Sequence, residues 1–117
     1  MNTKISYLYR DAGNYKRYNE CIVAGALSAK QIRAILDCCD MGEYFIPRHV
    51  GLPEHRFDPY DSQADHCWFE LTADSFSETR ESPTMALTST ELVNRFEECS
   101  NNWQDEAYTP QMGEINL

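Results

Sequence analysis

Two short sequences constrain this chain most: Ser28-Ala29-Lys30-Gln31 and Thr88-Ser89-Thr90-Glu91. Each puts a hydroxyl residue three positions before a Gln or Glu, the pattern of a capping box at a helix start. Each leads into an apolar stripe. After the first, Ile32, Ile35, Leu36 and Cys39 recur at i, i+3, i+4 and i+7, while Lys30, Arg33, Asp37 and Asp40 lie off the stripe. Gly42 is the expected stop. After the second, Leu92, Val93, Phe96 and Cys99 form the stripe and Asn101-Asn102 ends it.

The other elements read as extended. Ile5-Ser6-Tyr7-Leu8-Tyr9 is rich in strand formers, Asp11-Ala12-Gly13-Asn14 carries turn chemistry, and Tyr15 to Val23 returns as a second strand. Glu43 to Ile46 is a short extended run, closed by Pro47. Cys67 to Leu71 is a third strand, with Phe69 and Leu71 on one face and Trp68 and Glu70 on the other. Residues 48–65 read as a long loop, anchored by Val50, Leu52, Phe57 and Tyr60, and 76–87 as irregular. Trp103 is expected to fold back on the core. The sum is an α+β domain over residues 1–104: a three- to four-stranded, mostly antiparallel sheet with two helices packed on one face. Residues 105–117 read as a flexible C-terminal tail. Ile35, Leu36, Phe69, Leu71, Leu92 and Phe96 are the expected core.

Length and composition allow one domain with an ordinary core: 117 residues, 42% hydrophobic. Charge narrows the function classes. The net charge is −9, which argues against direct binding to nucleic acid or to an anionic membrane. It is also uneven. Residues 1–50 hold seven Lys and Arg against five acids, whereas 51–117 hold fourteen acids against Arg56, Arg80 and Arg95. No stretch is long and apolar enough to span a bilayer, and Met1 to Arg10 lacks the apolar centre of a secretory signal. Five irregularly spaced cysteines do not form a disulfide framework, so a cytoplasmic setting is expected.

Three constellations could carry chemistry. His49, His55 and His66 with Cys67, Cys38 and Cys39 offer zinc-type ligands, but no C-x-x-C pair or usual His spacing accompanies them. His66-Cys67 could supply a thiol and its base, although neighbours in a strand face opposite ways. No phosphate loop, dinucleotide fingerprint or hydrolase elbow occurs. No cofactor is implied. The third constellation is aromatic and acidic: Tyr44, Asp58, Tyr60, Asp61, Asp65, Trp68, Glu70, Asp74, Glu78 and Glu81. Carboxylates among rigid aromatics suit a basic groove on another protein; the alternative is a hydrated surface that serves solubility.

Three segments carry a resemblance: Tyr15 to Val23 running into the first helix, Gly42-Glu43-Tyr44-Phe45-Ile46-Pro47, and Trp68-Phe69-Glu70-Leu71-Thr72. With them the chain resembles, over most of residues 4–103, small acidic proteins of unknown function encoded on bacterial mobile elements. Tyr18-Asn19-Glu20 and the Glu-Tyr-Phe-Ile segment are also similar to antirestriction proteins that mimic DNA. The first resemblance implies a mobile-element setting and no known activity; the second favours an acidic inhibitor.

The expected function is a non-enzymatic interaction protein that occupies a basic, nucleic-acid-binding surface, in concrete form an inhibitor of anti-CRISPR or antirestriction type. The expected contacts are Asp58, Tyr60, Asp61, Asp65, Glu70, Asp74 and Glu78. The rival reading is a small metal-binding or thiol-dependent enzyme using His66 and Cys67.

Overall fold

The computed structural model describes residues 1–56 and 66–103. Strand β1 (Asn2–Arg10) and strand β2 (Lys16–Val23) form a long antiparallel hairpin in which Tyr7 lies opposite Asn19 and Leu8 opposite Tyr18. The turn closes on Asp11, whose Oδ1 accepts from the Tyr15 N–H at 2.9 Å, with Asn14 in the left-handed region at φ 67°. Asn tolerates that conformation better than most residues.

Helix α1 (Ala29–Cys38) begins at the Ser28 box, with both reciprocal bonds present. It stops at Cys38, before Gly42. A two-residue strand β3 (Tyr44–Phe45) follows, then a 3₁₀ turn at Pro47–Val50. Strand β4 (Phe69–Glu70) and strand β5 (Phe76–Thr79) precede helix α2 (Ser89–Cys99), which starts at the Thr88–Glu91 box.

The sheet runs β2-β1-β4-β3, and β5 pairs with β1 beside β4. Every named pairing is antiparallel. The class is α+β, with five strands among the described residues rather than three or four. The additional strand is β5, which lies in the stretch that reads as irregular. Phe-Ser-Glu-Thr has no apolar alternation to reveal it, and its partner is the Asn2–Ile5 half of β1. The strand expected over 67–71 is shorter, Phe69–Glu70, although Phe69 and Leu71 are buried as their alternation requires.

Period-two alternation in β1 buries Thr3, Ile5, Tyr7 and Tyr9 and leaves Lys4, Ser6, Leu8 and Arg10 on the solvent-facing side. The buried face meets Ile35, Phe45, Phe69, Leu71, Leu92 and Phe96 in one cluster. Leu36 differs from expectation: it is only partly buried, packed on the cluster's edge. Tyr7 sits edge-on to Phe45 at 5.5 Å, and Phe45 contacts Phe96 at the same centroid distance. Trp103 does fold back, donating from Nε1 to the Cys38 carbonyl at 2.9 Å and stacking on His49.

Candidate functional site

The inward residues of the hairpin hold more than the core. The Tyr7 hydroxyl donates to the Pro53 carbonyl at 2.6 Å. Opposite it, Asn19 is only 3% exposed and meets the main chain of His55 twice. Its Oδ1 accepts from the His55 N–H at 2.7 Å and its Nδ2 donates to the His55 carbonyl at 3.0 Å. The next inward residue of β1, Tyr9, accepts from the His66 N–H at 3.1 Å. Arg56, paired with Glu54 at 3.5 Å, donates to the His66 carbonyl at 3.1 Å. Glu54 also accepts from the Arg48 N–H at 2.7 Å. Residues 53–56 and His66 are therefore brought to one place, held by two tyrosines and an asparagine of one hairpin and by the Arg56–His66 bond. Burying these polar groups is tolerable only because each finds a partner.

The stretch between those anchors carries Asp58, Tyr60, Asp61 and Asp65, as well as the expected anchor Phe57, and lies outside the described residues, as does the expected tail. The remaining expected contacts are divided. Glu70 and Asp74 line one shallow cavity of about 240 Å³ on the solvent-facing side of the sheet, with Ser6, Leu8 and Tyr18. Glu70 pairs across the sheet with Leu8. Glu78 pairs with Thr3, an inward residue, so it leaves the sheet on the opposite face. Glu70 is also committed within the fold: Arg10 Nε lies 3.0 Å from its Oε2 and Nη2 3.4 Å from its Oε1. Its charge is answered, which weakens it as a lone docking carboxylate.

His66 and Cys67 differ from the pair an enzyme reading requires. The His66 Nδ1 accepts from the Trp68 N–H at 3.0 Å, so that nitrogen carries no proton; Nε2 is 2.7 Å from the Arg10 carbonyl and must be the donor. Both ring nitrogens are thus engaged by main chain. Cys67 is 1% exposed. Burial pushes the Cys21 thiol up to about 11 and the Cys39 thiol up to about 12, which keeps both protonated and unreactive. Among the described residues, no three His, Cys, Asp or Glu side chains gather as a metal site. No described helix is long and apolar enough to cross a membrane.

The anchoring by Tyr7, Asn19 and Tyr9 is absent from the sequence reading. One signal for it exists. Counting by two from the core places Asn19 on the inward face, and a buried amide requires partners.

No protein-family model, curated protein or solved structure matches the chain.

Proposed function

We propose that the protein is a non-enzymatic docking protein that occupies a basic, nucleic-acid-binding surface on another protein, with a CRISPR or restriction nuclease as the concrete target. The observation that carries this reading is the anchorage at Arg56 and His66. The hairpin and Arg56 tie down both ends of a stretch bearing three aspartates and a tyrosine. The net charge of −9 favours fast encounter with a basic partner. Asp74, solvent-exposed at the cavity on the outer face of the sheet, adds a further carboxylate. The likeness to DNA-mimicking antirestriction proteins points the same way.

The test is capture of host-lysate proteins on the immobilised chain at low and high salt. The reading expects nucleic-acid-binding proteins retained at low salt and released at high salt. Retention that ignores salt, or of proteins without a basic surface, would contradict it.

A further inference from the structure

On the solvent side of the β3–β4 edge, Asp40, Met41, Tyr44, His66 and Trp68 surround an open cavity of about 300 Å³. Three features set it apart from an ordinary surface dip. Met41 is held at φ 54°, a conformation that costs a long side chain energy, and the residue is 86% exposed. A strained, exposed methionine beside two aromatic rings is a poor solution for solubility and a good one for contact. The walls are fixed: His66 is held through both ring nitrogens, Trp68 packs edge-on against Trp103 at 6.5 Å, and Trp103 is itself bonded to the end of α1. Finally, the charge at the rim is negative. Asp40 is exposed and makes no ion pair among the described residues, whereas the neighbouring cation, Arg10, is taken up by Glu70.

We infer that this cavity receives an arginine side chain from the basic surface of the partner, an inference that rests on the docking reading above. A guanidinium is planar and weakly hydrated, stacks on aromatic faces and offers several donors to one carboxylate. Tyr44 and Trp68 supply the faces and Asp40 supplies the carboxylate. A lysine ammonium is more strongly hydrated and gains less from two rings. Basic surfaces that grip nucleic acid are rich in arginine because it pairs with phosphate and guanine.

The probe is N-acetylated, amidated triarginine, titrated into the full chain and followed by the two tryptophan indole N–H resonances. Binding should saturate and shift the Trp68 signal. Asp40→Asn should weaken it about fivefold, and Trp68→Ala about threefold to fivefold. Glu98→Gln, exposed on α2 and outside the cavity, should leave it unchanged. Trilysine should bind about threefold more weakly. If Trp68→Ala fails to fold, the exposed Asp40→Asn decides. Unsaturable binding, an Asp40→Asn variant equal to wild type, equal affinity for trilysine, or equal affinity for a capped trileucine would each overturn the inference. If salt-sensitive capture from lysate persisted while triarginine failed, the cavity would be excluded and the docking reading retained. If capture failed while triarginine bound, the reverse would hold.

Discussion

Asn19 of the hairpin and His55 are joined by two hydrogen bonds, amide to main chain, at 2.7 and 3.0 Å. An amide side chain here does what a neighbouring strand would do: it pairs both main-chain groups of one residue. Because Asn19 sits opposite Tyr7, whose hydroxyl holds Pro53, one cross-strand pair fixes the path of residues 53–55.

Asn19→Ala removes both bonds and leaves the pairing groups to water. It should cost about 1–3 kcal/mol in denaturant unfolding. Amide exchange should quicken selectively at His55, and Tyr9→Phe should produce the same effect at His66. Unchanged exchange at His55 in Asn19→Ala would show that the anchor is not held by this side chain.

Gly25 links β2 to α1 at φ 95°, and a Cβ there would lie 2.6 Å from Ser89 Oγ. Gly25→Ala should therefore cost more than the roughly 1–2 kcal/mol of a left-handed side-chain residue alone. Gly42, at φ 72° with nothing within 4 Å of its Cβ position, is the control. Gly42→Ala should show the conformational cost only, and equal losses in the two variants would refute the Ser89 contact as the cause.

Helix α1 contributes unequally to the core through adjacent residues. Ile35 is fully buried and Leu36 only partly. Ile35→Ala should cost about 2–5 kcal/mol, with Leu36→Ala clearly below it, on chemical denaturation. The reverse order would place the stripe one residue around the helix.

Burial raises the Cys21 and Cys39 thiols to about 11 and 12, from an ordinary 9.0. The folded state thus retains protons that the unfolded chain releases first. Their contribution to stability is complete below pH 9 and falls as pH rises toward 11–12. Stability measured across that window should decline, and less steeply in Cys39→Ala relative to its own neutral-pH value. At pH 8, a thiol reagent should modify Cys21 and Cys39 only after denaturant is added.

Much of this fold is legible one residue at a time. Both helices announce themselves through Ser28–Gln31 and Thr88–Glu91 because a capping box and a stripe are local signals. The hairpin is legible through its turn residues. What escapes is what depends on distant partners. Strand β5 carries no pattern of its own and exists because β1 has an unpaired edge. The anchorage is hidden because Tyr7 and Tyr9 read as plain core until their hydroxyls are seen to meet Pro53 and His66. His66 misleads in the other direction: its type suggests a ligand or a base, yet main chain occupies both of its nitrogens. Glu70 reads as a free carboxylate until Arg10 is found beside it.

The proposed docking contact is made by the three aspartates that lie between Arg56 and His66 in sequence. It is tested most directly by comparing two charge reversals, Asp58, Asp61 and Asp65 to Lys against Glu97 and Glu98 to Lys on α2. Each variant is first checked for folding by circular dichroism, then measured for binding to the captured partner at low and high salt. The account predicts that the first reversal abolishes salt-sensitive binding while the second leaves most of it intact. A folded triple-aspartate variant that binds as wild type at both salt concentrations would contradict it.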